Sequence, residues 1–195
     1  KDSIFGKTII KEEKMKIKNK KILMIIAPEK FRDEEFEVPF KKFTDEGASV
    51  TVASLKKGVA TGMFGAKFDV KKTLDEVKES DFDAVVFVGG AGVPSVRSDK
   101  RAVEIAKNSA GHEVLGAICW APTILAKAGA VKGKKTTVWL GDDAEYGMKT
   151  SAVMEKYGAV FSGGEVIEDG NIITGNGPAA AEKFAIAIVN KLSSK

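Results

Sequence analysis

Short, continuous apolar runs constrain the fold of this chain more than any other feature of its sequence. Residues 22–27, 83–88 and 114–118 are almost wholly apolar, and each run ends within six residues. Runs of this length without alternation are typical of strands that are buried on both faces of a parallel sheet. Further strands are predicted at residues 48–54, 165–168 and 171–174, with a hairpin over residues 58–70.

Stretches with helical periodicity separate these strands. In residues 33–46, Phe36, Phe40 and Phe43 recur at the spacing of one helix face, although Pro39 predicts a kink or an irregular first turn. Strands that alternate with helices form right-handed crossovers, so a parallel sheet with helices on both faces is expected. The predicted fold class is a doubly wound, flavodoxin-like α/β domain. Further helices are predicted at residues 101–109, 122–128, 149–157 and 179–192.

Charge is divided unevenly along the sequence. Of 31 basic and 27 acidic residues, the first 21 residues hold eight lysines and three acids, which leaves 23 basic and 24 acidic residues for the rest. The basic balance therefore belongs to an N-terminal extension, residues 1–20, which we interpret as a solvated leader rather than a contact for an anionic partner. The single domain expected over residues 21–195 offers no electrostatic surface for nucleic acid.

Several classes of protein are excluded by what the sequence lacks. No apolar run approaches the ~20 residues that cross a bilayer, and the N-terminus has no signal-peptide core, so a cytoplasmic protein without membrane contact is expected. Cys119 is the only cysteine and His112 the only histidine, which excludes an internal disulfide and a Cys/His metal cage. Gly89-Gly90 starts no phosphate-binding pattern, so no nucleotide and no other cofactor is expected.

Cys119 is the strongest candidate for chemistry. It directly follows the strand at residues 114–118 and precedes Pro122, a residue that suits the first turn of a helix. A nucleophile at such a turn is exposed at the carboxyl edge of the sheet, where Gly89-Gly90 should also arrive. The start of the helix would favour the thiolate and lower the thiol pKa below about 8.5. The alternative is a small, buried, unreactive cysteine, and spacing alone does not separate the two.

Several short motifs occur in an order that resembles a known family. They are Ala-Ile-Cys-x-x-Pro around Cys119, Gly89-Gly90 after the preceding strand, and Glu35 four residues before Pro39. With residues 61–65 and 175–178, they extend over residues 21–192. This order resembles the ThiJ/PfpI superfamily, which has a class I glutamine amidotransferase-like fold.

The resemblance implies roles for individual residues. Cys119 matches the family's reactive cysteine, and Glu35 matches the glutamate that hydrogen-bonds its sulfur. The backbone N–H groups of Gly90 and Trp120 match a pair of donors that resembles an oxyanion hole. Gly89 and Trp139 are expected as possible lining residues of the site.

Glu35 has neighbours that could take its place. From the helical pattern alone, Asp33, Glu34 and Glu37 stay open as alternatives, because one apolar stripe does not settle which acid points inward. A carboxylate beside a thiolate would repel it, so the pair requires a carboxyl that burial keeps protonated. Such a group can serve as acid and base.

The chain departs from the peptidase-type members that it resembles. These have a histidine directly after the cysteine, where this chain has Trp120, and a glutamate from a neighbouring subunit where this chain has Ser95. His112, expected in a solvated loop, lies at the opposite end of a strand, on the order of 20 Å from Cys119, so no Cys–His dyad can form. A peptidase is therefore not expected. The acidic loop of Asp142, Asp143 and Glu145 is expected to be solvated, with a second proton-transfer group as the alternative.

The function expected from the resemblance is that of a cysteine-dependent enzyme acting on small reactive carbonyls or glycated adducts, in the manner of a glyoxalase or deglycase. The alternative is a stress-response redox sensor in which Cys119 oxidises to the sulfinate with little turnover. A third interpretation is an inert binding scaffold. The resemblance also implies a homodimer or higher homo-oligomer, and a small molecule as the substrate.

Overall fold

The computed structural model describes residues 15–194. Residues 1–14 of the expected extension lie outside the described residues. The strands in the described part are β1 (Lys21–Ile25), β2 (Glu29–Phe31), β3 (Ser49–Ser54), β4 (Gly58–Gly62), β5 (Lys67–Val70), β6 (Lys72–Thr73), β7 (Ala84–Phe87), β8 (Val114–Ile118), β9 (Lys135–Thr136), β10 (Asp142–Asp143), β11 (Met148–Lys149), β12 (Val160–Phe161), β13 (Val166–Asp169) and β14 (Ile172–Gly175). The helices are α1 (Asp33–Asp45), α2 (Val93–Arg97), α3 (Lys100–Asn108), α4 (Pro122–Lys127), α5 (Thr150–Lys156) and α6 (Ala181–Ser193).

The central sheet has the strand order β13-β14-β8-β7-β1-β3-β6. All neighbouring pairs are parallel except β13 and β14, which form an antiparallel hairpin. Every residue of β7 and β8 is buried, as expected for central strands covered on both sides. The predicted fold class of a doubly wound α/β domain is confirmed.

Two hydrophobic clusters cover opposite faces of this sheet. Leu23 and Ile25 of β1 point into the cluster that also contains the apolar faces of α2, α3 and α4. Ile22 and Met24 point into the other cluster, where α1 and α6 pack side by side. This alternation follows from the period of two in a strand, and it explains why β1 contains no polar residue after Lys21.

The predicted hairpin over residues 58–70 is present as β4 and β5, but it belongs to a separate small sheet. β2, which the sequence analysis did not predict, pairs in parallel with β4 and completes this sheet. The small sheet lies next to the carboxyl end of β1 and brings the turn at residues 62–66 towards the start of α1. That turn is held by Asp33, whose carboxylate accepts hydrogen bonds from the N–H groups of Phe64 and Ala66 at 2.9 and 2.7 Å.

Helix α1 continues through Pro39 as one helix. Proline lacks the N–H that would bond to the carbonyl of Glu35, so one helical hydrogen bond is lost. Burial of Phe36, Pro39 and Phe43 against the sheet offsets that loss. Ahead of β1, Ile17 is buried and its N–H donates to the carbonyl of Glu46 at 3.0 Å, so the packed body includes part of the stretch 1–20. No helix within residues 15–194 has the length and apolarity that a membrane-spanning segment requires.

Candidate active site

Cys119 occupies a strained turn at the carboxyl end of β8. Its φ of +64° lies in the left-handed region, which is unusual for a residue other than glycine. The turn is fixed from both sides, because the N–H of Cys119 donates to the carbonyl of Gly175 at 2.8 Å and its carbonyl accepts from the N–H of Trp139 at 2.7 Å. The side chain is 9% exposed. The structure therefore has the elbow geometry predicted for this residue.

Gly89 and Gly90 leave room for the sulfur and its neighbours. A Cβ atom on Gly89 would lie 2.6 Å from the Cβ of Cys119 and closer still to the Oε2 of Glu35. Gly90 has a φ of +115°, and a Cβ there would lie 2.7 Å from the carbonyl carbon of Phe31. Both positions therefore require glycine, the second for its backbone conformation as well as for space.

The structure brings Glu35, and none of the other acids of α1, to the side of Cys119. Glu35 is fully buried, and the Cys119 thiol is close enough to donate a hydrogen bond to it. Within residues 15–194 neither carboxyl oxygen of Glu35 has a partner with the full geometry of a hydrogen bond. Asp33 instead holds the turn at residues 62–66, Glu34 pairs with Arg32 at 2.7 Å, and Glu37 is exposed.

Burial has the largest effect on the pKa values of Glu35 and Cys119. It raises the pKa of Glu35 to about 8, against smaller lowering effects of the Cys119 thiol and of the Arg32 charge. Burial also raises the pKa of Cys119, and the nearby Glu35 raises it further. The backbone N–H groups of Trp120 and Gly90 lie close enough to the sulfur to lower its pKa, but their effect is smaller. The predicted thiol pKa below 8.5 is therefore wrong, because the short helix α4 does not outweigh burial and a neighbouring acid.

A cavity opens above the sulfur at the carboxyl edge of the sheet. It has a volume of about 170 Å³. Trp120 and Trp139 form one wall, with their ring centroids 5.2 Å apart, so the predicted lining role of Trp139 agrees with its position. The residues that line the cavity are Arg32, Met63, Gly90, Ala91, Cys119, Trp120, Trp139 and Pro178.

Comparisons with known proteins show the family of this chain. A sequence model of the DJ-1/PfpI family matches residues 20–191. The chain belongs to the DJ-1/PfpI family. Deglycase PfpI from Pyrococcus furiosus is 38% identical over 162 residues, which cover 81% of this chain and 90% of that protein. Protein dj-1beta from Drosophila melanogaster is 32% identical over 183 residues, 91% of each chain.

A solved structure supports the same assignment. The crystal structure of a ThiJ/PfpI domain protein from Brachyspira murdochii superposes with a TM-score of 0.81 at 29% identity. The match covers 91% of this chain and 99% of that one. The predicted resemblance to the ThiJ/PfpI superfamily is confirmed.

Within this DJ-1/PfpI fold, a buried ion pair supports Trp120. The indole Nε1 of Trp120 donates to the carboxylate of Asp143 at 2.9 Å. That carboxylate also receives two hydrogen bonds from Arg97, at 2.6 and 3.0 Å, and neither charged side chain is exposed. Burial raises the pKa of Asp143, but the bonds from Arg97 outweigh this and hold it below its usual range. The predicted solvated loop is therefore wrong for Asp143, whose side chain is fully buried in the pair with Arg97.

Other polar candidates lie away from the sulfur. His112 lies in the loop before β8, where it is half-buried and its Nε2 bonds to the carbonyl of Glu79 at 2.7 Å. Ser95 is exposed on α2 and its hydroxyl donates to the carbonyl of Gly92 at 2.7 Å. In residues 15–194 no group of three or more His, Cys, Asp or Glu side chains is arranged to hold a metal ion.

Arg32 is the charged residue of the cavity, and the sequence analysis did not predict it. It lines the cavity, and its guanidinium lies 4.6 Å from the centre of the exposed Phe64 ring. The charges of both Glu35 and Cys119 contribute to the raised pKa of Arg32. Its place three residues before Glu35, at the loop that follows β1, is a signal that could have pointed to it, because that loop ends at the same edge of the sheet.

Proposed function

We propose that this protein is a cysteine-dependent enzyme that acts, without a cofactor, on small reactive carbonyl compounds. The observation that carries the proposal is the arrangement around one sulfur. Cys119 lines the cavity, and its sulfur is within hydrogen-bonding reach of Glu35 and of the N–H groups of Gly90 and Trp120. A nucleophile, an acid/base group and two donors for a developing oxyanion are the parts that addition to a carbonyl needs.

The reaction begins with addition of the thiol to an aldehyde carbon. The S–H bond breaks, an S–C bond forms, and the proton passes through Glu35 to the carbonyl oxygen, which gives a hemithioacetal. While the oxygen carries negative charge, the N–H groups of Gly90 and Trp120 stabilise it. Because burial raises the pKa of Cys119, the thiol needs Glu35 as its base at the moment of attack.

The second half of the reaction applies to substrates with a ketone next to the aldehyde. Glu35, again a carboxylate, removes the hydrogen of the former aldehyde carbon as a proton and returns it to the ketone carbon. The hydroxyl proton of the first carbon moves to the ketone oxygen. The first carbon is thereby oxidised to a thioester and the second reduced to an alcohol, so no external oxidant is required. Water then hydrolyses the thioester to a 2-hydroxy acid and restores the thiol.

The size of the cavity favours a small substrate. Its volume of about 170 Å³ is below the ~300 Å³ from which pockets for drug-sized ligands begin. A 2-oxoaldehyde of a few carbons, or the glycated tip of a side chain, suits such a space. A peptide segment does not, and Trp120 occupies the position where a Cys–His dyad would need its imidazole.

Conversion of methylglyoxal to lactate by the purified protein tests this proposal. Release of methylglyoxal from its hemithioacetal with N-acetylcysteine tests the deglycase form. We expect turnover that is lost in Cys119→Ser and reduced at least 100-fold in Glu35→Gln. Glu37→Gln is the matched control, because it removes an exposed glutamate from the same helix. Absence of turnover above the Cys119→Ser background on both compounds would contradict the proposal.

Redox sensing by Cys119 is the second candidate. The adjacent Glu35 could donate a hydrogen bond to a sulfinate, but the raised thiol pKa leaves little thiolate to react with peroxide at neutral pH. Intact mass after mild peroxide separates the two functions. A gain of two oxygens at Cys119 in a protein without carbonyl turnover would favour the sensor.

The expected homo-oligomer belongs to the same proposal. Apolar side chains that are well exposed within residues 15–194 include Phe64, Leu140 and Val59, at 70%, 64% and 60%. Phe64 and Leu140 adjoin cavity residues in sequence, so a second copy that covered them would also narrow access to Cys119. Light scattering of the purified protein tests this directly, and a monomer at micromolar concentration would contradict it.

A further inference from the structure

Arg32 gives the cavity a charge that the proposed chemistry does not require. Among the described residues that line the cavity, Arg32 alone has an ionised side chain at neutral pH, and the rest of the wall is largely apolar. Aldehyde addition to Cys119 needs a base and oxyanion donors, which Glu35, Gly90 and Trp120 already supply. A cation at the rim of a small apolar cavity is suited to an anionic group on the ligand.

The guanidinium of Arg32 contacts two neighbouring side chains and still has N–H donors for a ligand. Its central carbon lies over the ring of Phe64, 4.6 Å from the ring centre, and its Nε donates to Glu34 at 2.7 Å. Within residues 15–194 its two Nη groups donate no hydrogen bond. Their N–H groups can therefore bind both oxygens of an incoming carboxylate. The side chains of Arg32 and Glu34 are 27% and 48% exposed, so their pair is screened by water and a ligand can compete with it.

We propose that the site prefers 2-oxoaldehydes that carry a carboxylate, and that Arg32 is the residue that determines this preference. The inference rests on the proposed function and adds the substrate class to it. With the aldehyde carbon at the sulfur of Cys119, the far end of a short chain reaches the rim, where the fork of Arg32 binds the carboxylate. The reaction itself is unchanged, so a 2-oxoaldehyde acid yields a 2-hydroxy diacid.

Two substrates of equal length test the preference. 4,5-Dioxopentanoate and 2-oxopentanal both carry the 2-oxoaldehyde on five carbons, and they differ in whether the chain ends in a carboxylate or a methyl group. We expect kcat/KM to be about tenfold higher for the acid, which is the low end of what hydrogen bonds to charged groups give, because Arg32 is partly exposed and water screens the pair. If the wild-type protein converts neither substrate, the proposed function is wrong. If it converts both with equal kcat/KM, only the preference for a carboxylate is wrong.

Three variants identify the residue responsible, with the ratio of the two kcat/KM values as the readout. Arg32→Met should reduce this ratio to about one, although both rates will change because Arg32 also acts on Glu35. Glu34→Gln removes the competitor for the guanidinium and should raise the ratio. Lys30→Met removes an exposed charge two residues away, outside the cavity, and should leave the ratio as it is. A ratio that is unaffected by Arg32→Met, or lowered by Glu34→Gln, would contradict the assignment.

Discussion

At the scale of single residues, Glu35 determines the pH dependence of the proposed reaction. Its burial raises the pKa to about 8, and the proposed reaction needs the carboxylate form. The rate on methylglyoxal should therefore rise about tenfold per pH unit below pH 8 and level off above it. Steady-state kinetics between pH 5.5 and pH 9.5 measure this profile. Glu37→Gln should keep it, and a rate that is already constant at pH 6 would show that Glu35 is not the base.

Gly89 offers a second test at this scale. The Cβ added in Gly89→Ala would lie 2.6 Å from both the carbonyl oxygen of Ile118 and the Cβ of Cys119, and closer still to the carboxyl of Glu35. Glu35 and Cys119 must therefore move apart to make room for it. We expect a destabilisation of about 1–3 kcal/mol from overpacking and a loss of most of the activity. Gly111→Ala is the control, because nothing lies within 4 Å of a Cβ there. Denaturant unfolding and methylglyoxal turnover of both variants test the expectation, and a fully active Gly89→Ala protein would contradict it.

The sequence predicted this site unevenly, for physical reasons. Cys119 could be found because an elbow has a local pattern of small residues and a proline. Glu35 could not be separated from Asp33 and Glu34 without the family resemblance, because the choice depends on contacts with distant segments. The pKa of the Cys119 thiol was predicted to shift in the wrong direction, because the start of a helix is visible in the sequence and the depth of burial is not.

At the scale of elements, the ion pair of Arg97 and Asp143 joins α2 and β10 beneath Trp120. In Asp143→Asn the buried Arg97 loses its only fully buried counter-charge among the described residues, because Glu145, at 2.9 Å, is 44% exposed. We expect a loss of about 3–5 kcal/mol in the free energy of unfolding. The Trp120 indole also loses a charged acceptor, so the tryptophan emission should shift.

The control for this variant is Asp142→Asn. Asp142 is the neighbouring residue, its side chain is 83% exposed, and it pairs with an exposed Lys149. We expect this change to alter the free energy of unfolding by less than about 0.5 kcal/mol. Equal stabilities of the two variants in urea unfolding would mean that the buried pair does not support the wall of the cavity.

The strands that the sequence analysis missed share one property. β2, β6 and the strands β9 to β12 are two or three residues long, and they form where tertiary contacts bring short extended segments together. Segments this short have no periodicity to detect. The apolar strand runs and the longer helices were predicted because burial over five or more residues leaves a repeating pattern in the sequence.

At the scale of the whole molecule, Glu35, the proposed acid/base group, should weaken the fold at high pH. Glu35 has a folded-state pKa raised from 4.5 to about 8, so it keeps its proton in the folded chain while the unfolded chain has lost it. Its contribution to stability is complete below the unfolded pKa and is lost as the pH rises through the folded pKa.

The expected loss is large enough to measure. Between about pH 4.5 and pH 8 it amounts to roughly 5 kcal/mol in the free energy of unfolding. A glutamine cannot ionise, so the stability of Glu35→Gln should not contain this pH-dependent loss. The free energy of unfolding of wild type minus that of the variant should therefore fall steadily as the pH rises. Other titrating groups are common to both proteins and cancel in this difference, and Cys119, whose pKa depends on Glu35, keeps its proton in both folded proteins below pH 8. Urea unfolding of the two proteins at pH 5, 6, 7 and 8 measures it, and a difference that is independent of pH would mean that Glu35 is already ionised in the folded protein.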